Sequence, residues 1–288
     1  MIGVIGATGM TGRALVAALK AKGSDFRCLV RDTAKAADTL GSDVELVQAD
    51  LADAASIEAG LQGCDKLFLL SGHSPVMVEQ QLNAVNAAKT TGVNHIVKLS
   101  GGSFIIKEDT PALIGRGHWQ IEQEIRASGL DWTFLRPGFF MQNFLNMAEA
   151  IKGMGKVMMP VPADVGLGMI DVRDTADAAA GVLTSEGHAG QVYELSGPNV
   201  TPAEAVAAIG NAIGKEIAFI PVPMEGAIGA MKERGMPDWL VDHQSTLMGI
   251  AADGNMATYG NDLIEKLAGH APRTPADFAR DNAGAFTA

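Results

Sequence analysis

The chain has 288 residues, 47% of them hydrophobic, enough for one large domain or a domain with a smaller appended lobe. A net charge of −11 without clusters of Lys and Arg argues against a polyanion-binding surface, so no direct nucleic-acid partner is expected. Apolar runs are short and interrupted, so neither a membrane-spanning helix nor a secretory signal is expected, and the cytoplasm is the expected compartment.

In chain order, short apolar runs alternate with helical patterns. IGVIG (2–6) predicts a strand, and TGRALVAALKAKG (11–23) a helix with Leu15, Val16 and Leu19 on one face and Gly23 as its stop. FRCLV (26–30), VELVQ (44–48), KLFLLS (66–71), HIVKLS (95–100) and DWTFLRP (131–137) predict further strands. PVMVEQQLNAVNAAKTTG (75–92) and IGRGHWQIEQEIRASG (114–129) predict helices between them. Strands this continuously apolar belong to a parallel sheet covered on both faces. Right-handed crossovers make it a doubly wound α/β sheet, with ligands at the carboxyl ends of its strands. Cys28 and Cys64 read as small buried apolar residues, and no metal-ligand spacing surrounds them, so no metal is expected.

Past about residue 150 the pattern loosens. KVMMPVPADVGLGMIDV reads as loop and strand, RDTADAAAGVLTSEG as a helix, and QVYELSG as a strand. TPAEAVAAIGNAIG is a helix opened by Thr201 with Glu204 three residues on, a capping box, and EIAFIPVP is another strand. The expected organisation is a dinucleotide-binding domain over 1–150 and a smaller α/β lobe over 151–288, interleaved at an approximate boundary and enclosing a cleft.

The dinucleotide reading rests on Gly6, Gly9 and Gly12, spaced G-x-x-G-x-x-G between the first strand and its helix. Gly6 suits a tight turn, Gly9 a close approach of backbone to a pyrophosphate, and Gly12 close packing of helix on strand. The helix N-terminus offers free N–H groups and a positive dipole end. This is the Rossmann-type arrangement. The second strand ends CLVRD; Arg31 at that place suits a ribose 2′-phosphate, so NADP(H) is expected in preference to NAD(H). Asp32 reads as the N-cap of the next helix.

VIGATGMTG at 4–12, VRD at 30–32, ADLAD at 49–53, SGG at 100–102 and LRPGFFMQNF at 135–144 resemble the NmrA-like branch of the atypical short-chain dehydrogenase/reductases. IDVRDTADAAAGVL and GQVYELSGP resemble its second-half segments, so the likeness spans essentially the whole chain. The nearest pattern is that of NAD(P)H:quinone oxidoreductases and triphenylmethane-dye reductases. The resemblance implies that Thr8, Gly9, Met10 and Thr11 line the pyrophosphate and Arg31 meets the 2′-phosphate. It implies Asp50 and Leu51 beside the adenine, Ser71 and Gly72 near the ribose, and Ser100 and Gly101 near the nicotinamide. Pro137, Gly138 and Phe139 resemble the loop that shapes the nicotinamide end.

Tyrosine-dependent reductases of the wider superfamily use Tyr-x-x-x-Lys. Neither Tyr193 nor Tyr259 begins that motif. The resemblance places His118 where phenylpropanoid reductases of the branch carry a catalytic lysine. His118 is the candidate catalytic residue, as general acid or orienting donor, with Glu122 one turn on as its hydrogen-bond partner or a solvated helix residue. His73 is expected at the cleft mouth. Lys98, inside a strand, is expected to snorkel to an edge. Phe140, Met141 and Asn143 are candidate pocket residues, with Gln142 as a further polar contact and a Phe/Met-rich wall suited to flat substrates.

An acid-poor site favours conjugated acceptors, because a reduced quinone leaves as a phenolate-type anion with a pKa near that of tyrosine, about 10. The expected function is hydride transfer from NAD(P)H to a quinone or similar small aromatic substrate. Two alternatives stand beside it: an NADP(H)-binding redox sensor without turnover, and a biosynthetic reductase or oxygenase-like enzyme acting on a polycyclic aromatic natural product. A homodimer is compatible with the sequence.

Overall fold

A computed structural model describes residues 1–257 and 262–287; Tyr259 lies outside the described residues. The first half alternates β1 (Ile2–Ile5), α1 (Met10–Ala21), β2 (Phe26–Val30), α2 (Thr33–Leu40), β3 (Glu45–Gln48), α3 (Ala54–Leu61), β4 (Lys66–Leu69), α4 (Met77–Thr91), β5 (His95–Leu99), α5 (Leu113–Ala127) and β6 (Asp131–Pro137). There follow β7 (Phe139–Phe140), a 3₁₀ turn over Met141–Met147, α6 (Ala148–Met154), β8 (Lys156–Met159), β9 (Leu167–Ile170), α7 (Val172–Thr184) and β10 (Gln191–Leu195). The chain continues through β11 (Asn199–Val200), α8 (Pro202–Ile213), β12 (Ala218–Pro221), α9 (Met224–Glu233), α10 (Asp238–Ala252), α11 (Leu263–Ala268), α12 (Pro275–Asp281) and α13 (Ala283–Phe286).

Seven strands form one parallel sheet in the order β3-β2-β1-β4-β5-β6-β10. Ile2 of β1 sits opposite Phe26 of β2 on one side and Lys66 of β4 on the other. The connections run one way through β2 and β3 and then reverse to β4, so β1 and β4 flank the switch point where such sheets open a crevice.

Successive strand residues enter different cores, which is why these strands read as continuously apolar. Val4, Phe68 and Val97 join Leu15 and Leu19 of α1 and Ala176 and Ala180 of α7 on one face. Ile5, Leu67, Leu69 and Ile96 join Leu61, Ala84 and Ile121 on the other. Burial on both faces is the signature of a parallel sheet inside a helix sandwich. The thiols share this interior: Cys28 is fully buried, which pushes its pKa up to about 12, and Cys64 is buried and also raised by burial.

Residues 172–195 return to the main sheet as α7 and β10. Helix α11 packs on α7 beside that sheet, whereas α6, α8, α12 and α13 gather round a separate cluster that includes Phe144, Val157, Leu167, Val206 and Phe278. Two small sheets, β11-β9-β7 and β12-β8, frame it. The capping box of α8 forms as expected, with Thr201 Oγ1 accepting from Glu204 N (3.2 Å) and Glu204 Oε2 from Thr201 N (2.9 Å). A second box, Thr274 with Asp277, opens α12. Among the described residues no helix is long and apolar enough to cross a membrane.

Candidate functional site

Two adjoining hollows occupy the carboxyl ends of the strands. The larger, about 610 Å³, runs along β1, β2 and β4. Gly6, Thr8, Gly9, Met10 and Thr11 line it, as do Arg31, Asp50, Leu51, Ser71, Gly72 and His73. Gly6 has φ +84°, and a Cβ there would lie 2.5 Å from the Leu70 carbonyl, so only glycine fits this turn. Gly12 lies behind the lining: a Cβ on it would come within 2.0 Å of the Gly6 carbonyl, so it lets α1 lie directly on the turn. Gly9 stands at the N-cap of α1 and offers no side-chain cap, and the first turn holds no acidic residue. Its first N–H groups therefore face the groove unopposed, as an anion site requires. This cradle fits a dinucleotide.

At the end of β2 the two charged residues separate. Asp32 Oδ1 accepts from Lys35 N (3.0 Å) and caps α2. Arg31 is exposed and lines the groove. Asp50 Oδ1 accepts from Ala52 N (2.9 Å), and Asn83 Nδ2 donates to the Leu51 carbonyl (2.9 Å), which fixes the turn after β3.

The smaller hollow, about 200 Å³, opens past the ends of β5 and β6. Ser100, Gly101, Pro137, Gly138, Phe139, Phe140 and Asn143 line it with His118. His73 lines both hollows. Helix α5 buries Ile114, His118, Ile121, Glu122 and Ile125 at helical spacing, which turns His118 toward the sheet. Helix α10 adds His243, Gln244, Leu247 and Met248, residues that no motif in the sequence marks. Gln244, Leu247 and Met248 follow His243 by one, four and five places, and this helical spacing is the only sequence signal they carry. His73 meets both other rings edge-on, at 6.0 Å from His118 and 5.2 Å from His243 between centroids.

Burial sets the charge of these rings. His118 is held well below the ordinary imidazole range by burial and then by the nearby Lys98, so it is neutral at neutral pH. Burial also lowers His243, to about 4. A neutral imidazole has one N–H to donate and one nitrogen to accept a hydrogen bond.

Beneath the hollows lies a buried polar layer that differs from expectation. Lys98 does not snorkel: it is fully buried, and Nζ donates to Gln81 Oε1 (2.7 Å) and the Leu99 carbonyl (3.3 Å). Gln81 Nε2 in turn donates to Ser71 Oγ on the groove wall (2.8 Å). Burial lowers the Lys98 pKa to about 7, against the opposing pull of Glu122. Glu122 is neither solvated nor bonded to His118. It is buried, accepts from Ser100 Oγ (2.7 Å) and Arg136 Nε (3.1 Å), and pairs with Arg136 through its second oxygen. Arg136, inside the LRP segment, is the partner the sequence reading missed.

Two pocket candidates move to structural places. Met141 is 1% exposed and packs in the cluster of Phe144, Val157 and Leu167, because the 3₁₀ turn directs that face inward; it does not line the hollow. Gln142 Oε1 accepts from Val172 N (3.0 Å) and ties this turn to α7. Tyr193 lies outside both hollows, with its hydroxyl 2.8 Å from His188 Nδ1.

The chain is 37% identical over 289 residues, covering 100% of each chain, to an NAD(P)H azoreductase of Xenophilus azovorans. Its fold superposes on an NADPH-dependent quinone oxidoreductase of Escherichia coli solved with NADPH, at a TM-score of 0.86 and 29% identity, covering 98% of this chain and 99% of the other. It also superposes on a triphenylmethane reductase of Citrobacter sp. solved with NADP(H), at 0.83 and 26% identity, covering 98% and 99%. Residues 1–243 match the NmrA-like family, and the chain belongs to that family.

Proposed function

We propose that the protein is an NAD(P)H-dependent oxidoreductase that reduces quinones or other flat conjugated acceptors and prefers NADPH to NADH. The observation that carries this reading is the junction of the two hollows at His73. A groove shaped for a dinucleotide opens there onto a compact, largely apolar pocket where an acceptor can stack.

The α1 N-terminus and its glycine turn bind the pyrophosphate, and Arg31 pairs with the 2′-phosphate. The capping of Asp32 supports that preference, since the carboxylate that would favour an unphosphorylated ribose is engaged. Asp50 and Leu51 flank the adenine, and Ser71 and Gly72 the ribose. Ser100, Gly101, Pro137, Gly138 and Phe139 shape the nicotinamide end, with Phe140, Asn143 and His73 toward the acceptor. A bound dihydronicotinamide supplies the hydride. The protein holds the acceptor in place and excludes water, which is the main source of rate for such a transfer. His118 donates a hydrogen bond to the acceptor oxygen as negative charge develops there, and solvent supplies the proton afterwards.

Anaerobic oxidation of NADPH by purified protein against a panel of quinones, azo dyes and enones tests the reading. Turnover of quinones, with NADPH outperforming NADH, is the expected result. Dinucleotide binding without turnover of any acceptor overturns it and favours the sensor.

A further inference from the structure

We propose that His243 is a second hydrogen-bond donor to the acceptor, forming with His118 a two-imidazole clamp that selects neutral carbonyl-bearing acceptors over cationic ones. The inference rests on the reductase reading above and names the acceptor class of the same pocket.

Both rings line the smaller hollow, and both are more than nine-tenths buried, at 3% exposure for His243 and 6% for His118. The Nδ1 atoms of both are closed off inside the wall, and among the described residues no hydrogen bond engages Nε2 of either ring. A neutral imidazole has two nitrogens to satisfy, and with Nδ1 sealed in the wall the unengaged Nε2 is what each ring offers to something that enters the hollow. Helix α10 packs against α5 and sets His243 in the same wall system as His118, with His73 edge-on to both.

The lining explains the selectivity. It contains no Asp, Glu, Lys or Arg among the described residues. Outside the lining, Lys98 is buried and Arg136 half-buried, and the buried carboxylate that accompanies them, Glu122, is already paired with Arg136 and Ser100. Nothing in the pocket therefore compensates a cationic acceptor, whose burial is costly. A neutral quinone is different. Its carbonyl oxygen takes a hydrogen bond from a neutral imidazole N–H, and that bond strengthens as the oxygen becomes anionic. Neutral imidazole is a suitable donor for this purpose because it stabilises the anion without first surrendering a proton. In the balanced reaction the acceptor gains two electrons and one hydrogen as hydride, and its monoanion then takes one proton from water.

The test is calorimetric titration of the protein, without reductant, with duroquinone, which has no open ring position to alkylate thiols. N-methylquinolinium serves as a flat cation of similar size. His243→Leu is expected to weaken duroquinone binding about tenfold, while His243→Gln, which keeps a donor, stays within about threefold of wild type. Both variants should melt within a few degrees of wild type, since leucine removes an unpaired polar group. Wild type should bind duroquinone at least about tenfold more tightly than N-methylquinolinium. Duroquinone binding unchanged in His243→Leu, equal losses in Leu and Gln, no binding to wild type, or equal affinity for the cation each overturn the clamp. Normal duroquinone binding without NADPH-dependent turnover overturns the reductase reading and leaves the clamp standing.

Discussion

Replacing Arg31 by alanine separates the two cofactors. Arg31 is exposed at the β2 end and lines the groove, while its neighbour Asp32 is committed to the α2 cap. A charge-assisted hydrogen bond contributes about 1.5–3 kcal/mol, and solvent screening at an exposed site puts Arg31 at the low end, about 1.5–2 kcal/mol. That corresponds to a loss of about 10–30-fold in NADPH affinity. NADH lacks the 2′-phosphate, so its affinity should change by about twofold or less. The assay is titration of wild type and Arg31→Ala with each cofactor at low and moderate salt. Wild-type binding of NADPH should weaken with salt, and the variant should lose most of that dependence. Equal losses for both cofactors, or an unchanged NADPH affinity, would refute the assignment of Arg31 to the 2′-phosphate.

Three further outcomes follow from the buried layer and the turn. Lys98 has a folded pKa of about 7 against 10.5 for the free side chain, so folding disfavours its charged form. The penalty is absent above the unfolded value, grows as pH falls toward about 7, and is then constant, with a ceiling of about 5 kcal/mol. Lys98→Met removes that penalty but orphans Gln81 Oε1, so in thermal melts it should be more stable than wild type near pH 6.5 and less stable near pH 10 by about 1–3 kcal/mol; a difference independent of pH contradicts the account. Glu122→Gln leaves Arg136 without its buried counter-charge and should lower stability by about 3 kcal/mol in urea, whereas a loss under about 0.5 kcal/mol would show the pair to be dispensable. Gly12→Ala drives a methyl into the Gly6 carbonyl and should weaken NADPH binding by more than about tenfold, and near-normal binding would show that the turn can move.

The sheet was legible because its strands are buried on both faces: Leu67, Phe68 and Leu69 alternate between two cores, yet all are apolar. The glycine turn was legible because positive φ at Gly6 and contact at Gly12 demand residues without Cβ. The polar layer was not. Lys98, Gln81 and Ser71 are separated by up to 27 positions and meet only through parallel pairing of β4 with β5 and the packing of α4. Glu122 and Arg136 sit on different elements and find each other across the α5–β6 contact. Spacing within one helix suggested Glu122 for His118, and tertiary pairing gave it to Arg136 instead. His243 lies in a late helix whose pattern states which face is apolar but not which cavity that face closes.

The central claim is that the two hollows form one reaction space, and a single turnover tests it most directly. Protein saturated with NADPH is mixed anaerobically with duroquinone while the dihydronicotinamide absorbance is followed. The account predicts loss of one bound NADPH for each hydroquinone formed, slowed when the transferred hydrogen of NADPH is deuterium. NADPH that stays bound and unoxidised while duroquinone occupies the protein would contradict it.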